Sequence, residues 1–200
     1  MISYADLLSQ PAPALDDRAR AALVRDMTDQ AWDLAGIVED LLTVAHTEIG
    51  DLKVVKVPVN LTANTAQIIE SMGNRGSRVM VTGDRSITGV GDPARFRQIV
   101  RNLLVNALTH GSEPITIDVS VSETYTVLAV KDRGPGVPAH LEAEILSRSV
   151  ENDDPSDPHR TGIGLWISRE LPHLMGGHIT YQRQAGLTVF QVAIPLQERP

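Results

Sequence analysis

The chain has no cysteine among its 200 residues. That excludes disulfides, thiolate zinc sites and cysteine nucleophiles. It fits a reducing compartment, and a cytoplasmic location is expected. No apolar run approaches the roughly 20 residues of a membrane-spanning helix. The start, Met1-Ile2-Ser3-Tyr4-Ala5-Asp6, lacks the basic opening of a signal peptide. A soluble piece with no membrane segment is expected, and a longer, membrane-anchored parent stays open. Positive charge is short as well. A net charge of −7 argues against a general nucleic-acid binder. An anionic ligand must then be held by local features such as Mg²⁺, helix N-termini and single basic residues. His140, His159, His173 and His178 show no metal-ligand spacing, and there is no internal repeat. What remains is ordinary for a soluble globular protein, 42% hydrophobic and 22% charged, with length for one core plus an appendage.

Two parts follow. From Met1 to about Gly50 the chain reads as helical, broken at Pro11-Ala12-Pro13. Asp16 and Asp17 suit the N-terminus of the second helix. In it Met27, Ala31, Leu34, Val38, Leu41 and Ala45 recur at alternating steps of four and three, a heptad seam that wants a partner. Gly50 reads as its C-terminal stop. The second part begins near Asp51. Val54–Val57 is expected as a short strand, and Leu61–Met72 as a helix with Ala63, Ile68, Ile69 and Met72 turned inward. Val79–Val81 and Ile87–Val90 are expected to pair as a hairpin across Gly83-Asp84. Asp92 as N-cap and Pro93 at the first position open a strong amphipathic helix to His110. Alternation predicts strands at Ile115–Val121 and Tyr125–Val130, a helix at Ile163–Leu174, and closing strands at His178–Tyr181 and Val189–Ile194. The mixture suggests an α+β fold, a two-layer α/β sandwich.

Three motifs carry chemistry. Asn102 and Asn106, in Asn102-Leu103-Leu104-Val105-Asn106-Ala107, fall on one helix face beside the buried stripe of Ile99, Val100, Leu103 and Ala107. They are either exposed amides or oxygen ligands for a hard cation such as Mg²⁺, and asparagine is a poor helix former that needs a reason to be there twice. Asp132 precedes Arg133-Gly134-Pro135-Gly136. This is either a strand ending in a turn or a carboxylate facing a base edge, with glycines admitting close approach. Thr161-Gly162-Ile163-Gly164-Leu165 opens a helix, either for tight helix-to-sheet contact or to hold phosphate on backbone N–H groups.

In order and spacing these motifs resemble the N, G1 and G2 boxes of the histidine-kinase-type ATPases, the GHKL or Bergerat-fold family. From Trp32 to Pro195 the chain resembles a bacterial sensor histidine kinase. The resemblance implies a Bergerat ATP-binding fold preceded by an α-helical hairpin, with residues 1–50 the truncated dimerisation hairpin and 51–200 the catalytic ATP-binding domain. It implies ATP and Mg as cofactors, with Asn106 the principal Mg²⁺ ligand and Asn102 its support. Asp132 would accept from the adenine amine, joined by Thr188. Gly134 and Gly136 would let the turn approach the base, while Arg160, Thr161, Gly162, Gly164 and Leu165 would lie at the phosphates and His110 at ribose or phosphate. His46 stands where relatives carry a variable surface residue and is not expected to accept phosphate. The implied partners are ATP or ADP, a response regulator or a kinase subunit bearing an H box, and a second copy bound weakly through the hairpin.

The departures are specific. The H box, with the phosphoacceptor histidine and its neighbouring acid, is missing and would lie just before Met1, so no catalytic residue is assigned. Thr109 stands where a basic residue is usual, Arg160 replaces the first G2 glycine, and no F-box phenylalanine lies between Leu141 and Val150. Arg160 or His159 is the available replacement for the lost charge. The expected function is the ATP-binding region of a sensor histidine kinase, passing the γ-phosphoryl group to a histidine outside this chain. Two alternatives stand beside it: a degenerate nucleotide-binding module, and an anti-sigma-type serine kinase of the same fold, which needs no helical hairpin. The acidic, proline-bearing segment 147–160 is expected to be a lid that orders on nucleotide.

Overall fold

In this computed structural model the described residues are 16–138 and 163–197. They fall into two units, one ending at Leu42 and the other beginning at Thr43. The first unit holds most of helix α1 (Asp17–Glu48). Asp16 caps it, accepting from the Ala19 N–H at 2.6 Å. It ends at Gly50, whose φ of +72° suits the left-handed stop. Asp51 N donates to His46 O and Gly50 N to Thr47 O, each at 3.0 Å, which is the Schellman pattern. The expected first arm of the hairpin lies outside the described residues. The seam residues Met27, Leu34, Val38 and Leu41 are exposed.

The second unit runs β1 (Val57–Asn60), α2 (Leu61–Ser71), a 3-10 turn (Gly76–Arg78), β2 (Val79–Gly83), β3 (Thr88–Gly91), α3 (Pro93–His110), β4 (Ile115–Val121), β5 (Tyr125–Asp132), α4 (Ile163–Met175), β6 (His178–Gln184) and β7 (Leu187–Pro195). The sheet order is β2-β4-β5-β7-β6, and β1 pairs with β3 in a separate ribbon. β2 is parallel to β4, and the other neighbours are antiparallel. Alternation sorts the strands. Ile117, Val119, Leu128, Val130, Phe190, Val192 and Ile194 are buried and register together across β4, β5 and β7. The helices α3 and α4 pack over this layer with Phe96, Ile99, Leu103, Ile167 and Leu171 fully buried. The other face is mixed: Ala129, Val189 and Ala193 are buried on it, and it carries the Lys131–Asp118 ion pair at 3.4 Å. This is the expected two-layer sandwich.

Three expectations are corrected. β2 and β3 exist but do not form a hairpin: β2 joins β4, reached through β3 and α3, the long connection a parallel pair requires. The glycine at 83 fits close pairing with Val119 rather than a two-residue turn, and Asp84 bends the chain by accepting from Ser86 N and Oγ at 2.8 Å. β1 begins at Val57, later than expected, because it is the register with β3 that defines it. On α2 the buried positions are Leu61 and Thr65, while Ala63 is exposed; Asn60 caps that helix by accepting from Ala63 N at 2.7 Å.

The ribbon closes one end of the core. A Cβ at Gly89 would meet Ile194 Cδ1 at 2.7 Å, so only glycine lets β3 cross there. Ile194 pairs with Thr126 near the start of β5. The opposite end, where β5 finishes at Asp132, is left for the site.

Candidate nucleotide site

Asp92 fixes α3. Its Oδ1 accepts from Ala94 N at 2.9 Å and Arg95 N at 3.3 Å, and its Oδ2 from Val55 N at 3.1 Å. Four buried positions on one side of α3, Phe96, Ile99, Leu103 and Ala107, then set the rotation that places Asn102 and Asn106 at the edge of the core, both half-buried. The two amides are not equivalent. Asn102 Oδ1 accepts from Arg101 Nε at 3.3 Å and Nη2 at 3.1 Å. Its Nδ2 donates to Gly164 O at 3.2 Å, tying α3 to the first turn of α4. Gly164 O also accepts from Ser168 Oγ at 2.7 Å. Asn106, one turn further, is half-buried, and its side-chain amide has no hydrogen bond among the described residues. Among the described residues no group of three His, Asp or Glu is placed to hold a metal. An ion here would depend on Asn106, waters and ligand oxygens, the shell Mg²⁺ favours.

Asp132 ends β5 and is only 4% exposed. Gly134 N donates to its Oδ1 at 2.6 Å. Burial raises its carboxyl above the ordinary carboxylate value, while backbone N–H groups of Gly134 and Ser112 and the charge of Arg183 pull the other way. A buried carboxylate without an ion pair is costly unless it is hydrogen-bonded. About four acceptor positions on a carboxylate exceed what two backbone donors use, so an incoming amine can be accepted. The turn is cut to fit. A Cβ at Gly134 would meet Gly111 Cα at 2.6 Å and His110 O at 2.9 Å, and one at Gly111 would meet Asp132 Cγ at 2.6 Å. Helix end and turn therefore touch backbone to backbone, with the Asp132 carboxylate against Gly111.

Thr188, 5% exposed, is the direct cross-strand partner of Asp132. The structure thus brings together Asn102, Asn106, His110, Asp132, Gly134, Gly136, Gly164, Leu165 and Thr188 from five elements at one end of the sheet. His110 is exposed at the end of α3. Arg160, Thr161 and Gly162 lie outside the described residues, as does the expected lid. Three residues were missed. Gly111 directly follows the helix and shows no pattern of its own. Tyr181 and Arg183 on β6 make contact through register, which no local pattern announces: Tyr181 Oη accepts from Val137 N at 3.0 Å, and Arg183 Nη1 donates to Gly134 O at 2.6 Å.

Residues 91–198 match the family model described as histidine kinase-, DNA gyrase B-, and HSP90-like ATPase. The chain is 30% identical over 188 residues to the probable sensor histidine kinase TcrY of Mycobacterium tuberculosis, covering 90% of this chain and 39% of that protein. It is 28% identical over 180 residues to the signal transduction histidine-protein kinase AfsQ2 of Streptomyces coelicolor, covering 88% and 33%. The chain thus spans little more than a third of the length of these relatives. In fold it is similar to the Acinetobacter baumannii histidine kinase AdeS, with a TM-score of 0.65 at 20% identity over 96% of this chain and 90% of that one. No described helix is long and apolar enough to cross a membrane. The chain belongs to the histidine kinase-, DNA gyrase B-, and HSP90-like ATPase family, and its ATP-binding domain is of the sensor-histidine-kinase type.

Proposed function

We propose that this chain binds Mg-ATP at the end of β5 and serves as the catalytic region of a two-component sensor histidine kinase. The observation that carries the reading is the buried Asp132 carboxylate, 4% exposed, at a glycine-cut turn packed on the end of α3, the helix that carries Asn106. Asp132 accepts from the adenine amine, with Thr188 beside it. Gly134 and Gly136 admit the base. Asn106 offers its oxygen to the cation, and Asn102 braces α4 instead of binding directly, because its own oxygen is engaged by Arg101. Gly164 and Leu165 begin α4, whose N-terminus favours phosphate; Arg160, Thr161 and Gly162 precede it. A bound Mg²⁺ would neutralise charge on the phosphate oxygens. The γ-phosphoryl group passes to a histidine on an H-box-bearing chain, and from there to a response regulator. Residues 1–50 act as the dimerisation hairpin, 51–200 as the catalytic domain, in the cytoplasm.

A second reading, nucleotide binding without turnover, is favoured by one observation. Thr109, where a basic residue is implied, is exposed at the end of α3 and supplies no charge, and a lost cation is costly in phosphoryl transfer. Incubation with labelled ATP separates the two. Acid-labile, base-stable phosphate on an added H-box-bearing chain supports transfer. ATP binding with no phosphate on that chain supports the binding module.

A further inference from the structure

Asp132, Thr188 and Arg183 form one row across three strands, since Asp132 pairs with Thr188 in the β5–β7 register and Thr188 with Arg183 in the β7–β6 register. One nitrogen of Arg183, Nη1, donates to Thr188 Oγ1 at 2.7 Å and to Gly134 O at 2.6 Å. Two residues earlier, and so on the same face of the strand, Tyr181 accepts from Val137 N at 3.0 Å; its ring rests on Phe190 at 5.1 Å between centroids. The edge strand β6 therefore reaches across β7 and holds the 134–137 turn at both ends. Gly136, at φ +76°, lies beneath: a Cβ there would meet Arg183 Nη1 at 3.0 Å and Tyr181 Oη at 3.1 Å.

We propose that Arg183 is a positioning residue for base recognition, fixing the Gly134–Val137 turn and committing the Thr188 hydroxyl to act as a donor. A hydroxyl has one proton and two acceptor sites. By accepting from a guanidinium, Thr188 keeps its proton for another partner. Beside it Asp132 is an acceptor. An acceptor next to a donor matches the adenine edge, an amine beside a ring nitrogen. It mismatches guanine, which presents O6 beside N1–H. Arg183 thus contributes to adenine selectivity without touching the base.

This inference rests on the nucleotide reading above, and calorimetric titration of the full chain with ATP and GTP in Mg²⁺ tests it. Arg183→Gln is expected to weaken ATP binding about tenfold and to narrow the preference for ATP over GTP. Arg183→Lys is expected to restore most of both, because a single ammonium can make both bonds. In a Thr188→Val background, Arg183→Gln should cost less than it does alone. Arg183 lies exposed at a sheet edge, and circular dichroism checks that the variants fold. A lowered melting temperature with an unchanged ATP-to-GTP ratio and no rescue by lysine overturns the inference while leaving the nucleotide reading intact. An unmutated chain that does not bind ATP overturns both.

Discussion

At the scale of a residue, the proposed binding role of Asp132 is set against stability. Burial holds its carboxyl above the ordinary value in the folded chain. Folding therefore favours the protonated form. That advantage is complete below the unfolded value of about 3.9 and is lost as pH rises through the raised one. At neutral pH the ionised carboxylate is a cost. Asp132→Asn keeps an oxygen to accept from Gly134 N and removes the charge. It is expected to melt above the unmutated chain at pH 7–8, with the difference shrinking toward pH 4, while ATP affinity falls roughly tenfold to a hundredfold. Thermal scans at the two pH values check the first claim and titration the second; an Asn variant that melts lower at neutral pH contradicts this account of burial. Asp132 was legible because aspartate ahead of two glycines is a local pattern. Arg183 and Gly111 were not, since each matters through a neighbour that sequence distance hides: Thr188 across a strand for one, the Asp132 carboxylate pressed against the helix end for the other.

At the scale of elements, α3 carries the candidate site's two asparagines, and Asp92 anchors α3. Asp92→Ala removes acceptors from Ala94 N and Arg95 N and strands Val55 N. A lost cap costs about 1–2 kcal/mol, which for a chain of this size lowers the melting temperature by roughly 2–8 °C. Calorimetric melting measures it, and no change would mean that Pro93 and the buried face alone hold the helix start. This helix was readable to the residue because cap, proline and apolar period agree. The β2 and β3 strands were readable as strands but not as partners. Their apolar runs predict extended backbone, yet pairing is decided by what else can pack. β3 is thin at Gly89 and Gly91, which suits a ribbon laid against Ile194 and Met175 rather than a sheet neighbour. The inward face of α2 was readable in part: Met72 is buried as expected, while Ala63 is exposed and Thr65 takes a core position by donating its hydroxyl to Leu61 O at 2.7 Å.

At the scale of the molecule, the seam on α1 is apolar and in water: Leu34 is 61% exposed, Val38 49% and Leu41 52%. Heptad-spaced apolar residues favour burial against another helix. The chain is expected to self-associate reversibly in the micromolar range, and Val38→Glu to abolish it. Sedimentation at rising concentration checks this, and a strictly monomeric mass at high micromolar concentration contradicts it. In the other unit, the end of β5 is proposed as a Mg-nucleotide site with Asn106 at the cation. Titration of ATP into the unmutated chain and Asn106→Ala, each in Mg²⁺ and in EDTA, tests it most directly. The substitution is expected to weaken binding at least tenfold in Mg²⁺ and hardly at all in EDTA. Equal loss in both conditions, or no ATP binding by the unmutated chain, contradicts it.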